Sequence, residues 1–151
     1  MCANILLSTD GSEVATHGVK HGIGLAKALN AKVTIITVTE PLPLLDYGSG
    51  HVPGLIPSQQ MFDHFAANCK ASANKVLDEA QAMADQIGIS VELLHVPDAH
   101  PATTIIETPR SRGCDLIVMG SHGRRGLSKL FLGSQTSEVL ADASVPVLVV
   151  H

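Results

Sequence analysis

Five short β-rich runs punctuate the chain: NILLS (4–8), KVTIITV (32–38), SVELLHV (90–96), DLIVM (115–119) and VPVLVV (145–150). Most are continuously apolar rather than alternating, which is the pattern of strands covered on both faces. The segments between them carry helical patterning. Residues 12–29 place Val14, Val19, Ile23, Leu25, Ala26 and Leu29 near one face, and residues 58–87 are Ala-rich and stop at Gly88. Shorter patterns cover about 101–111 and SQTSEVLADAS at 134–144. Alternating strand and helix implies a parallel sheet with right-handed crossovers, an open α/β fold with helices on both faces.

Length and composition fit one such domain spanning 1–151. The chain is 45% hydrophobic but only 3% aromatic, with no Trp, so the core must be built from Val, Ile, Leu and Ala. No apolar run approaches the ~18 residues that a membrane span needs. The start, MCANILLSTD, shows neither a basic region nor a long apolar block, so no secretory signal is expected. A net charge of −4 with scattered basic residues argues against a protein that coats nucleic acid or anionic lipid. Cys2, Cys69 and Cys114 are odd in number and form no CxxC pair, so reduced thiols and a cytoplasmic location are expected. The Pro- and Gly-rich PLPLLDYGSGHVPGLIP (41–57) reads as a long excursion after the second strand.

The chemistry concentrates in GSHGRRGLSKLFLGS, which follows the fourth strand and opens the last helix. Gly120, Gly123 and Gly133, with Ser134 behind the last, form the pattern G-x2-G-x9-G-[ST]. In open parallel sheets ligands sit beyond the carboxyl ends of the strands, where strand order reverses. Glycine there lets backbone N–H groups approach an anion and adopt φ values that other residues avoid. Gly133 and Ser134 also open a helix whose unpaired N–H groups favour phosphate. The competing reading is that these glycines only form turns and a cap. A helix dipole supplies only about 0.3–1 kcal/mol and a charge-assisted hydrogen bond about 1.5–3 kcal/mol. Micromolar affinity needs about 8 kcal/mol, so a nucleotide is a better tenant than inorganic phosphate. Arg124, Arg125 and Lys129 are candidates for further phosphate contacts or for solvated loop positions. There is no GK[ST] ending and no G-x-G-x-x-G after the first strand, so neither a Walker-type NTPase nor a dinucleotide dehydrogenase is supported.

NILLSTDGSE, DLIVMGSHGRRG, the following LGS and the closing ASVPVLVVH together resemble the universal stress protein family, in order and over the whole chain. The glycine pattern is that of its ATP-binding subgroup. The resemblance implies a Rossmann-like sheet of order 3-2-1-4-5, with Asp10 facing Gly120 across the crevice. It implies that Ser8, Thr9, Asp10 and the backbone of Val38 meet the adenosine. Met119, Gly120, Ser121, His122, Gly123, Arg124 and Arg125 would then wrap the ribose and first phosphates, and Gly133, Ser134 and Gln135 the outer ones. ATP or AMP is the implied ligand, with Mg2+ accompanying ATP, and a homodimer joined along 145–150 is the implied assembly. Asp10 also has a reading as a cap or turn residue before the first helix.

Other constellations are weaker. His17 and His21 share the i, i+4 spacing of metal ligands, but no glutamate completes H-E-x-x-H. Asp115 begins strand four, at the wrong end of the sheet to act as a base near a terminal phosphate, and no nucleophile elbow is present. A nucleotide-binding regulatory protein in the stress response, acting on a downstream protein, is therefore expected rather than an enzyme. The alternatives are a slow ATP hydrolase and a dimeric interaction module without nucleotide. Pro109 is expected to kink the third helix or end it early. The last strand either pairs with a second copy or is protected by Pro146 and its flanking loops.

Overall fold

The structure, a computed structural model, describes residues 2–42, 58–123 and 132–151. Its elements run β1 (Asn4–Ser8), α1 (Glu13–Leu29), β2 (Lys32–Val38), α2 (Gln59–Ile87), β3 (Glu92–Val96), α3 (Pro101–Arg112), β4 (Leu116–Gly120), α4 (Ser134–Asp142) and β5 (Val147–Val150). All strand pairings among them are parallel, in the order β3-β2-β1-β4-β5. The central strands β1, β2 and β4 are the most deeply buried, while β3 and β5 are half-exposed edges.

Two cores flank the sheet. On one face α1 and α2 cover Ile5, Leu7, Val33, Ile35 and Val118 with Val19, Ile23, Ala26, Leu77, Ala80 and Ala84. On the other, α3 and α4 cover Leu6, Ile36, Ile117 and Met119 with Ala102, Ile105 and Val139. Alternation of side chains along each strand divides its residues between the two. The buried positions of α2 (Ala73, Val76, Leu77, Ala80 and Ala84) recur at helical spacing and begin only midway along its 29 residues.

Helix α1 lies unusually close to the sheet because its inner face carries small residues. A methyl group added at Gly22 would overlap Leu7 Cδ2, and one added at Gly18 would stand 3.2 Å from Gly120 N and 3.3 Å from Met119 C. Leu29, expected on the inner face, is 46% exposed, because Ala26 is the last buried position before the left-handed turn at Asn30 (φ 52°) ends the helix. Below it, Lys27 Nζ donates to Ile87 O at 2.8 Å and ties the end of α1 to that of α2.

Pro109 neither stops α3 nor shortens it to the expected degree. The helix continues through Arg112 and closes at Gly113 (φ 65°), whose flanking Cys114 N–H donates to Pro109 O at 3.0 Å. Proline removes only its own N–H from the ladder, and its ring is buried within a single closing turn. The third strand begins at Glu92, two residues later than the apolar pattern, since an edge strand has a partner on one side only.

Asp115 lies at the amino end of β4. Its carboxylate accepts from Ala3 N at 2.7 Å, Asn4 N at 3.2 Å and the Cys2 thiol at 3.0 Å, clamping the start of β1 to β4. The Cys2 and backbone donors hold the Asp115 carboxyl below its ordinary range. Desolvation, followed by the neighbouring carboxylate, pushes the Cys2 thiol up to about 11, so it remains a protonated donor.

Two outcomes follow from this packing. Gly22→Ala should lower stability by about 1–3 kcal/mol through overpacking against Leu7. Gly24→Ala, where an added methyl meets nothing within 4 Å, should raise it by about 0.4–1 kcal/mol, both read by urea titration. Because the folded Asp115 pKa is depressed, its contribution is complete above the ordinary carboxylate value of about 4 and lost as pH falls through the folded value. Asp115→Asn should therefore be less stable than wild type at pH 7, with the gap closing as pH drops below 4 in parallel acid titrations.

Candidate functional site

The switch in strand order falls between β1 and β4, whose residues pair Ile5↔Leu116, Leu6↔Ile117 and Leu7↔Val118. The chain leaves β1 toward β2 on one side and leaves β4 toward β5 on the other, opening a crevice beyond their carboxyl ends. Three segments meet there: residues 8–12, 119–123 and 133–136.

The first segment is a tight, self-bonded turn. Thr9 is buried, its N–H donates to Ile36 O at 3.0 Å, and its hydroxyl accepts from Gly11 N at 3.1 Å. Gly11 adopts φ 79°, a conformation open to glycine at little cost. Asp10 Oδ1 accepts from Ser12 N at 2.9 Å, and Ser12 in turn caps α1 through Ala15 N at 3.3 Å. Asp10 therefore performs the turn role considered for it and also lies across the crevice. A methyl group added to Gly123 would overlap Asp10 Oδ2 and stand 3.4 Å from its Cγ. Its carboxylate faces Gly123 more closely than Gly120.

The glycines work by closeness, not by unusual φ. Positive φ values are confined, among the described glycines, to Gly11, Gly88 and Gly113. A methyl added at Gly120 would stand 3.0 Å from Ala15 N and Val14 C, so this position admits the first turn of α1 against the end of β4. At Gly133, whose φ is −61°, it would stand 3.1 Å from His122 Cα. Gly133 N–H donates to Ser121 O at 2.9 Å, drawing the two ends of the glycine pattern together. The expectation of special backbone angles at Gly120, Gly123 and Gly133 is thus corrected: the space a side chain would fill is what matters there.

Helix α4 opens differently from the others. Ser12, Ser58 and His100 each cap their helices with a side chain, whereas α4 begins at Gly133 with no side-chain cap. Ser134 is exposed in its first turn. Gln135 turns its side chain elsewhere, accepting from Ala102 N at 2.8 Å and so capping the start of α3. Thr136, which sequence reasoning missed, is 2% exposed, and its hydroxyl donates to Gly120 O at 3.0 Å. A threonine one turn into a helix gives no pattern signal; only the tertiary fold supplies its acceptor.

Ser8 ends β1 half-buried, and Val38 ends β2 with its side chain packed on the second core, leaving its main chain toward the crevice edge. Met119 is likewise committed to that core. Ser121 is buried with Oγ 3.1 Å from His122 Nδ1. Arg124, Arg125 and Lys129, and residues 43–57 of the loop after β2, lie outside the described residues. Among those described, no group of three or more His, Cys, Asp or Glu is arranged to hold a metal, and His21 directs Nδ1 to His17 O at 2.9 Å. No described helix is long and apolar enough to cross a membrane.

A parallel sheet of order β3-β2-β1-β4-β5 with helices on both faces and a crevice at its switch point defines an open, doubly wound α/β protein. The Universal stress protein family profile matches residues 1–151, and the chain belongs to that family. A universal stress protein of Thermus aquaticus is 32% identical over the full length of both chains. The solved structure of MJ0577, a universal stress protein of Methanocaldococcus jannaschii, superposes with a TM-score of 0.80 at 25% identity, covering 99% of this chain and 96% of that one. Two further solved universal stress proteins share the fold: one in complex with cAMP (TM-score 0.68, 24% identity, 99% and 97% coverage) and one from Archaeoglobus fulgidus with dAMP (0.68, 14%, 100% and 98%).

Thr136→Val preserves shape and removes the bond to Gly120 O. It should cost about 1–3 kcal/mol by leaving a buried carbonyl short of a partner, measured by denaturant unfolding.

Proposed function

We propose that this chain, acting as one domain, binds an adenine nucleotide, ATP or AMP, in the crevice between β1, β4 and α4, and acts as a regulatory protein. The observation that carries this reading is the opening of α4: a helix start without a side-chain cap, held by the Gly133–Ser121 bond against the end of β4. Unpaired N–H groups there suit phosphate oxygens, and the lack of a Cβ at Gly133 lets the helix start lie against His122. The Asp10 carboxylate would repel phosphates, so it suits the hydroxyl and amino donors of the adenosine end, with Thr9 and the Val38 main chain beside it. Family members solved with cAMP and dAMP support the adenine preference.

Mg2+, where ATP is the ligand, would arrive held by phosphates and water, since the described residues supply no ligand cluster. Asp115 sits at the far end of the sheet, and Asp10, a carboxylate at the crevice, is engaged with Ser12 N–H, so binding without efficient turnover fits the geometry. The half-exposed β5, with Leu148 41% exposed on an edge, suits pairing with a second copy along 145–150. The cysteines among the described residues are unbridged, which suits the cytoplasm.

Calorimetry with ATP and AMP should give micromolar binding. Gly133→Val should weaken it roughly 10- to 100-fold, the equivalent of one or two charge-assisted hydrogen bonds, while circular dichroism stays unchanged. Equal affinity in the variant would overturn the site assignment. Incubation with labelled ATP for hours should release little phosphate; turnover at ordinary enzymatic rates would favour the hydrolase reading instead.

A further inference from the structure

We infer that the phosphate crevice and the edge strand β5 form one cooperative unit hinged on the main chain of Ser121, so that a bound adenylate orders the edge available for pairing with a second copy. The inference rests on the nucleotide-binding reading above. Ser121 is the first residue beyond β4 and is 2% exposed. Its N–H donates to Val150 O, the end of β5, at 2.7 Å, and its C=O accepts from Gly133 N–H at 2.9 Å. One buried residue thus holds the last carbonyl of the edge strand with one main-chain group and the start of α4 with the other.

The surroundings leave little slack for these bonds to move independently. The Gly133 Cα faces His122 at a distance that would place an added methyl 3.1 Å from His122 Cα, and Thr136 anchors α4 to Gly120 O. A buried N–H must remain paired, so a shift at Ser121 carries Val150 with it or breaks a bond. Strand β5 is only four residues long and pairs on its inner side with β4 alone, from Ile117↔Val147 to Gly120↔Val150. Its far end therefore depends heavily on Ser121. A second route runs through Val139 of α4, which packs in the same core as Val145 and Val147. A ligand that bridges 121–123 and the opening of α4 favours the arrangement in which all these bonds are made. Linkage then requires a loosened edge to weaken ligand binding by the same factor.

Hydrogen exchange with and without saturating AMP and ATP tests this, with binding confirmed by calorimetry on the same sample. The Ser121 amide and those of Val147–Val150 should slow about 3- to 10-fold on binding. Deleting Val150 and His151 should weaken nucleotide affinity about 2- to 10-fold in a chain shown to be folded by circular dichroism. Normal binding heat with unchanged exchange at these amides, or undiminished affinity in the folded truncation, overturns the coupling and leaves the site reading standing. Absence of binding heat with both nucleotides removes the site reading itself, and the coupling with it.

Discussion

The structure depends on how closely α1 can lie against the adjoining strands β1 and β4. Three glycines allow it: Gly22 beneath Leu7, Gly18 over the Met119–Gly120 peptide, and Gly120 beneath the first turn of α1. With a side chain at any of these positions the helix would ride higher, and the crevice between Asp10 and Gly123 would change shape. Close packing makes that geometry stiff, because interiors at crystal-like density absorb little displacement. The same contacts that complete the core therefore set the dimensions of the site.

The two ends of the sheet divide the labour. At the amino ends, Asp115 gathers Cys2, Ala3 and Asn4 and fixes where β1 starts relative to β4. At the carboxyl ends, polar groups shape the crevice: Thr9 and Asp10 form one wall, and Ser121 and Gly133 join at the other. Placing the Asp115 clamp at one end leaves the other with backbone amides and the Asp10 carboxylate. A crevice of that kind suits a ligand whose two ends differ in charge, as those of an adenylate do.

Much of this was legible in the residues. The runs NILLS and KVTIITV coincide with β1 and β2 because a strand buried on both faces favours aliphatic and β-branched residues over polar alternation. Gly88 marked the end of α2 because a left-handed cap at φ 76° favours glycine. The strand order and the pairing of β1 with β4 came from family likeness, since no local pattern encodes which strands adjoin. Less visible were the features that depend on tertiary partners. The glycines at 120, 123 and 133 were read as flexible backbone, yet each is selected by a neighbour across space: Ala15, Asp10 and His122. Gln135 was assigned to phosphates, but its side chain meets Ala102, and Thr136 carried no signal because its acceptor lies sixteen residues away. Leu29 fitted the helical period but fell beyond the last buried position of α1. Periodicity reports faces; it does not report reach.

On the proposed reading, the main-chain amides of His122, Gly123, Ser134 and Gln135 receive the phosphates, while those of Ser121 and Gly133 stay bonded to Val150 O and Ser121 O. Backbone amide chemical shifts recorded by 1H–15N NMR during titration with ATP test it residue by residue. The largest changes should fall on His122, Gly123, Ser134 and Gln135, with the amino-end residues around Asp115 unmoved. Saturable binding whose shifts cluster elsewhere, leaving those four amides unchanged, would contradict it.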